Sequence, residues 1–255
     1  MSIVRLPAVH RRVCRELFAP VPRWRAFIES ALEDGIGLML ADNEAEPKAA
    51  VLLYGGAVVY AGDPEAPAAG DLVRAFDVQP LVLGWNDRWV RLLAESRNGA
   101  LGESTRYHLP ADGISWPDDS RSRTTPFGSA RPITRDDVAG IEKDLGWEHH
   151  LHHYRSIDDF VTRGNGYIVT DGDAVASAAS SYAVSSNRSE CQVTTAEAYR
   201  RRGLALAVCA AYLESCLARG LSVPWDAGNK TSVALARSLG YSNVEEYSVY
   251  HAFAE

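Results

Sequence analysis

The sequence has few cysteines, no long apolar run and no surplus of positive charge. Its four cysteines, Cys14, Cys191, Cys209 and Cys216, include no Cys-x-x-Cys pair. That removes the ligand spacing of a zinc ribbon. It also argues against a disulfide scaffold, because a chain of 255 residues can bury a core large enough to fold without staples. The cysteine usage fits a reducing, cytoplasmic setting. The longest apolar stretch, residues 49–61, is broken by Gly55-Gly56 and is too short to span a bilayer, so it reads as a strand–turn–strand hairpin. The N-terminus carries Arg5, Arg11, Arg12 and Arg15 with no apolar segment behind them, so neither a signal peptide nor a membrane partner is expected. Lys plus Arg total 26 against 33 Asp plus Glu, a net charge of −7, which argues against a nucleic-acid partner and weakly favours cationic small substrates. There is no Walker loop and no GxGxxG dinucleotide fingerprint.

What is present is ordinary globular composition, 46% hydrophobic and 23% charged. No internal repeat is visible. The segment from 109 to 132 is dense in Pro, Gly, Ser, Asp and Arg and lacks a hydrophobic period, so a boundary is expected there. The reading is an N-terminal α/β domain over 1–118 and a second domain over 128–255. In the first, helices are expected at 24–33 and 85–95 and short strands at 38–40, 51–54, 58–60 and 82–83. Trp85 with Asn86-Asp87 could mark a site, but a helix N-cap is the plainer reading.

The second domain is more regular. Ser156-Ile157-Asp158-Asp159 has the shape of a capping box before Phe160. Strands are expected at 167–170, 174–184, 190–194, 221–225 and 244–253. A long helix follows Gly203, with Leu204, Val208, Cys209, Tyr212, Leu213, Cys216 and Leu217 at helical spacing and Gly220 as its stop. A second helix spans 229–239. The last strand is expected to be exposed and able to pair across a dimer; monomer and homodimer both stay open.

The chemistry concentrates in Arg200, Gly203 and Ala205, a strand–R-x-x-G-x-A–helix pattern inside Tyr199-Arg200-Arg201-Arg202-Gly203-Leu204-Ala205. The first turn of a helix leaves its N–H groups without helical partners, and the dipole adds positive potential, so such a turn can hold a phosphate or pyrophosphate. Gly203 lets the backbone approach closely, and the arginines add charge. Taken alone, an arginine run before a helix is usually just a solvated turn.

The stretch from Gly164 to Tyr250, with GNGYIV, ASAASSYAV, ECQVTTAEAYRRRGLA and PWDAGNKTSVALARSLGY, resembles the GNAT superfamily of acyl-CoA-dependent N-acetyltransferases. It is most similar to the branch called GNAT acetyltransferase, which includes a zwittermicin-type antibiotic self-resistance enzyme. The resemblance implies an α/β fold: a mixed, mostly antiparallel central sheet with a splayed parallel strand pair, flanked by helices, behind an N-terminal α/β extension. It implies acetyl-CoA as co-substrate. Backbone amides of Arg201, Arg202, Gly203, Leu204 and Ala205, with Arg200 beside them, would hold its pyrophosphate. Val193, Thr194 and Thr195 would line the pantetheine arm, and Asn229 and Ser232 would lie near the thiol end. The strands that splay would be 190–194 and 221–225.

Acetyl transfer to an amine needs a base, since a lysine-like amine has a pKa of about 10.4. Glu190 is the candidate; a solvent-facing strand glutamate is the equal alternative. Relatives often read E-I-E-I-D-T on this strand, whereas this chain reads Glu190-Cys191-Gln192-Val193-Thr194-Thr195. Glu190, Gln192 and Thr194 alternate onto one face. Many relatives also place a tyrosine, as general acid, where this chain has Ala236. Ser232, Tyr241, Tyr247 or water would then supply the proton. The run His149-His150-Leu151-His152-His153 reads as a surface cluster, as the mouth of an acceptor pocket or as a metal chelate; no metal is expected. Trp225 reads as core, and Asp226 as structural or substrate-contacting. The function expected is acetyl transfer to the amine of a small molecule, an antibiotic, an amino acid or a polyamine. The alternatives are an acyl-CoA sensor and a protein or peptide N-acetyltransferase.

Overall fold

The structure is a computed structural model that describes residues 3–76, 79–112, 114–115, 125–146 and 153–252. It divides into two compact units, residues 1–106 with 246–255 and residues 107–245. Chain order begins with β1 (Val4–Arg5), α1 (Arg15–Phe18), α2 (Arg25–Asp34), β2 (Leu38–Ala41), β3 (Ala49–Tyr54) and β4 (Ala57–Gly62). It continues with α3 (Ala69–Arg74), β5 (Gln79–Leu83), α4 (Asp87–Ser96) and β6 (Leu101–Leu109). Next come β7 (Arg131–Pro132), α5 (Val138–Ile141), α6 (Ile157–Arg163), β8 (Gly166–Asp171), β9 (Ala174–Val184) and β10 (Ser189–Thr195). The chain closes with α7 (Leu204–Ala218), β11 (Trp225–Ala227), α8 (Lys230–Ser238) and β12 (Glu245–Ala252).

In the first unit the strand order is β1-β2-β3-β4-β5-β12-β6, with β4 and β5 parallel and β5 and β12 antiparallel. The last strand therefore lies between two others and is not the exposed edge expected from sequence. Its residues alternate and bury Tyr247 and Val249, which favours a two-sided partner over a solvent edge. The apolar residues of β3 and β4 pack with Leu72, Trp89 and Leu93 from α3 and α4. Asn86 caps α4 by accepting from the N–H groups of Arg88 at 3.0 Å and Trp89 at 3.4 Å, and Trp85 donates its indole N–H to Tyr60 O at 2.8 Å.

In the second unit β10-β9-β8-β7 forms an antiparallel sheet. On one face α7 packs Val208, Cys209, Tyr212, Leu213 and Cys216 against Val169, Ala176, Ala179 and Val184. On the other, Ile141 of α5 and Phe160 of α6 pack against Ile168, Val175 and Ala178. A mixed α/β unit of this kind, a mostly antiparallel sheet flanked by helices, was the fold class expected. Leu217 departs from the helical stripe read for α7: it is 41% exposed, whereas Cys216 beside it is fully buried. Ser156 Oγ accepts from Asp159 N at 3.1 Å and starts α6 as its capping pattern implied.

The elements repeat where the residues do not. Three strands, a helix, a strand, a helix and a strand run as β2-β3-β4-α3-β5-α4-β6 and again as β8-β9-β10-α7-β11-α8-β12. Such an order needs only matching apolar periods, which unlike sequences can satisfy.

Candidate active site

Ser189 donates its N–H to Ser222 O, and Ser222 donates to Asn187 O, both at 2.9 Å. Arg188 and Ser222 thus form a single parallel bridge. Beyond it the two strands part. β10 continues along β9, whereas β11 pairs antiparallel with the end of β6, Trp225 opposite Leu109 and Ala227 opposite Tyr107. Pro224, which has no N–H to give a ladder, falls between the bridge and β11. The strand expected at 221–225 is therefore a bridge at Ser222 followed by β11 at Trp225–Ala227. Among the described residues no strand pairs with the outer edge of β10 past the bridge, so part of its backbone is open to an added strand.

β10 leads into the arginine turn. Val193 and Thr194 are half-buried, and the Thr195 hydroxyl lies 2.8 Å from Ser177 Oγ. Arg200 Nε donates to Thr195 O at 3.3 Å and closes the turn onto the strand end. Arg201 and Gly203 both have left-handed backbone, at φ 64° and 78°. Alternating conformations of this sort turn successive N–H groups toward one point. Gly203 precedes α7, which has no side-chain cap and no acidic residue in its first turn. Leu204 is buried and Ala205 half-buried, so this end of the helix is anchored. A Cβ on Gly203 would meet no atom within 4 Å, so the helix start opens onto free space. Arg202 lies over Phe127 at 5.6 Å and Tyr199 at 5.8 Å, two rings packed edge-on at 5.3 Å. Tyr199 donates to Asp171 at 3.0 Å, a bond that raises its phenol above the ordinary range.

On the β11 side, Asn229 Oδ1 accepts from Ser232 N at 2.9 Å and caps α8. Trp225, 3% exposed, donates its indole N–H to Ser232 Oγ at 2.9 Å. The Ser232 oxygen thus accepts one hydrogen bond, and its own O–H is a donor. Tyr241 is 2% exposed and donates its hydroxyl to Val223 O at 2.6 Å, and burial pushes its phenol well up. Its proton is held in a core bond. Ala236 is fully buried in the same core. Tyr247 lies in the first unit, where Trp24 Nε1 donates to its hydroxyl at 2.9 Å.

Glu190, one residue beyond the Ser189 bond, is 7% exposed. Cys191 and Val193 pack into the α7 core, so Glu190, Gln192 and Thr194 face the other side of the sheet. Burial, with the Cys209 thiol beside it, pushes the Cys191 thiol far above its usual range. The β9–β10 register slips here: Glu190 pairs with Ala183 but Cys191 with Ser181, which leaves Tyr182 as the extra residue of a bulge. Ser181 bonds toward Asn165, whose amide reaches Tyr212 and Cys216 of α7. Tyr182 therefore faces the Glu190 side, where His153 packs its ring 4.1 Å from the tyrosine ring.

Sequence reasoning missed Tyr182, since a bulge has no reliable local signature. His153 was seen only as part of a run; His149, His150 and His152 lie outside the described residues. Among the described residues no group of three or more metal-ligating side chains converges.

The sequence matches the family described as GNAT acetyltransferase over residues 15–250. It is 25% identical over 237 residues to the uncharacterized N-acetyltransferase YdfB of Bacillus subtilis (strain 168), which covers 89% of this chain and 90% of that protein. A crystal structure of a GCN5-related N-acetyltransferase-like protein from Streptococcus suis matches with a TM-score of 0.79 at 28% identity, over 96% of this chain and 98% of that one. A tandem GNAT protein from the clavulanic acid biosynthesis pathway matches with a TM-score of 0.57 at 14% identity, over 100% and 99% of the two chains, a likeness of fold alone.

Proposed function

The chain belongs to the GNAT acetyltransferase family and is an acetyltransferase, and from that premise we propose that it moves the acetyl group of acetyl-CoA to the amine of a small molecule. The observation that carries this reading is the parting of β10 and β11 after one parallel bridge, with the open edge of β10 running straight into an uncapped helix start.

The residues present suit the co-substrate. The space beside Gly203 that a Cβ would enter, the left-handed turn and the absence of acidic side chains in the first turn of α7 all favour a pyrophosphate there. The N–H groups of Arg201, Arg202, Gly203, Leu204 and Ala205 would hold it, with Arg200 bracing the turn. The edge of β10 at Val193, Thr194 and Thr195 would take the pantetheine arm as an added strand. Bound acetyl-CoA supplies the acetyl group in activated, thioester form.

The chain's own work is to hold and move protons. An amine at its ordinary pKa is charged near neutral pH, and making it neutral costs roughly 4 kcal/mol at about 1.36 kcal/mol per unit. Glu190, at the apex of the parting strands, accepts that proton. At the start of α8 Ser232 Oγ holds a proton to donate, and the Trp225 N–H bonded into the same oxygen strengthens it as a donor. Asn229 fixes this helix start. We assign the acid to Ser232 or an ordered water, and Tyr241 to the core. Four free thiols support a reducing, cytoplasmic setting.

Calorimetric titration with acetyl-CoA, followed by thiol release against a panel of amines, tests the reading, with Gly203→Glu as control. Binding lost in the control and turnover with an amine support it. No binding by the natural protein overturns it. Binding without turnover on any amine favours the acyl-CoA sensor instead, the reading that Ala236 in place of a tyrosine would suit.

A further inference from the structure

We propose that the Arg202 side chain, held by the rings of Phe127 and Tyr199, takes the 3′-phosphate of the co-substrate, a phosphate monoester on its ribose, and so makes the chain discriminate CoA from 3′-dephospho-CoA. The inference rests on the pyrophosphate reading of the arginine turn and adds a determinant that the backbone of the turn does not supply.

The arginine side chains of this turn part. Arg200 turns back and donates to Thr195 O at 3.3 Å. Arg202 is exposed yet held, with its guanidinium 5.6 Å from the Phe127 centroid and 5.8 Å from that of Tyr199. Fixing an exposed arginine costs rotamer freedom, and the two rings offset that cost before any ligand arrives.

Both rings are themselves fixed. Thr125 and Gly128 exchange two backbone hydrogen bonds of 3.1 Å. The Thr125 hydroxyl accepts from Phe127 N at 3.1 Å and donates to Gly128 O. Thr125-Pro126-Phe127-Gly128 is thus a closed turn that presents Phe127, in a segment whose composition reads only as a boundary. Tyr199 packs edge-on to Phe127 at 5.3 Å and donates its hydroxyl to Asp171 at 3.0 Å. Asp171 is engaged by the phenol, and among the described residues no carboxylate forms an ion pair with Arg202.

A cation–π contact engages the charge of a guanidinium and leaves its N–H groups for an anion. The ligand's own chemistry selects which one. The pyrophosphate groups are diesters with one charge each, and the N–H groups of the turn serve them. The monoester carries close to two charges near neutral pH and three acceptor oxygens. A guanidinium, a full cation with paired donors, suits it better than neutral amides do. The ribose is bonded directly to the pyrophosphate, and Arg202 directly precedes Gly203 in the turn that would hold it. Arg202 is the binding residue. Phe127 and Tyr199 are positioning residues that act through it.

Calorimetric titration of the full chain compares CoA with 3′-dephospho-CoA. The natural protein is expected to bind CoA more tightly by about tenfold or more, the scale of one charge-assisted pair. Arg202 is exposed, so Arg202→Gln leaves the fold intact; it is expected to bring the ratio of the two affinities to within about twofold. Phe127→Ala is expected to lower the ratio in the same sense, and Phe127→Tyr to restore it, a recovery that mere packing of the turn would not tie to the phosphate. Equal affinity of the natural protein for the two ligands, or a ratio that survives Arg202→Gln, overturns this subsite and leaves the pyrophosphate reading standing. A ratio that falls in Arg202→Gln but survives Phe127→Ala overturns the positioning role of the ring. Binding of neither ligand by the natural protein overturns both the subsite and the reading on which it rests.

Discussion

Ser189 and Ser222 are joined by one backbone hydrogen bond of 2.9 Å, and by Trp225, three residues after Ser222, the second strand has a different partner. Everything assigned to the site follows from that point. The carboxylate of Glu190 comes immediately after it, the open edge of β10 extends from it, and the Arg200–Ala205 turn ends it.

Gly203→Ala separates stability from binding. The residue has φ 78°, where an alanine is strained by about 1 kcal/mol, but the added Cβ would touch no protein atom. Urea unfolding is expected to show that modest loss. Acetyl-CoA affinity is expected to fall by more than tenfold, since the methyl would occupy the space of the ligand. Equal small losses in both would remove the pyrophosphate from this turn.

Glu190→Gln tests the base. General base catalysis contributes typically 10²–10⁴-fold. Steady-state kinetics on the accepted amine is expected to show kcat lowered about a hundredfold or more, with the acetyl-CoA dissociation constant unchanged. A kcat within threefold of the natural protein would move the base elsewhere.

Asp137 supplies a pH-dependent part of the stability. It accepts both guanidinium N–H groups of Arg131, at 2.6 and 2.8 Å, and the Thr134 N–H at 2.8 Å. These bonds hold its carboxyl at about 2, against an ordinary 3.8. The folded value is depressed, so the stabilisation is present above about pH 4 and is lost as pH falls toward 2. The pair is partly exposed, so Asp137→Asn is expected to cost about 1–2 kcal/mol at pH 7. Denaturant melts from pH 7 to pH 2 should show the difference shrinking below pH 4. A gap that stays constant would mean the carboxylate contributes no charge-dependent term.

The repeated order of elements raises the question of a second co-substrate site, and the residues argue against one. At the equivalent turn, Asp63, Pro64 and Glu65 precede α3, which has only six residues and Asp71 in its first turn. Carboxylates at a helix start oppose an anion. Calorimetry is expected to return about one acetyl-CoA per chain; two would contradict this account.

Much of the second unit was legible in the sequence. The period of α7, its entrance through Gly203, its stop at Gly220 and the Ser156 cap depend on residues within a few positions of one another. The same holds for β9, read at 174–184 and found at Ala174–Val184. The family resemblance rested on such stretches too. Less legible were the fates of single side chains. Tyr241 and Ser232 were equal candidates as donors by residue type, and only packing buried one hydroxyl on Val223 O and left the other half-exposed beside Trp225.

By itself the sequence determined the local pieces: where helices start and stop, which strand faces are apolar, and the arginine–glycine turn with its run of N–H groups. The tertiary structure alone decided three things. It joined Arg188 to Ser222 and then separated their strands, it slipped the β9–β10 register so that Tyr182 meets the face of Glu190, and it placed β12 between β5 and β6. The physical reason is one of range. Capping, periodicity and turn geometry are satisfied by neighbours in the chain, whereas strand partners are chosen by the burial of whole faces among residues far apart in sequence.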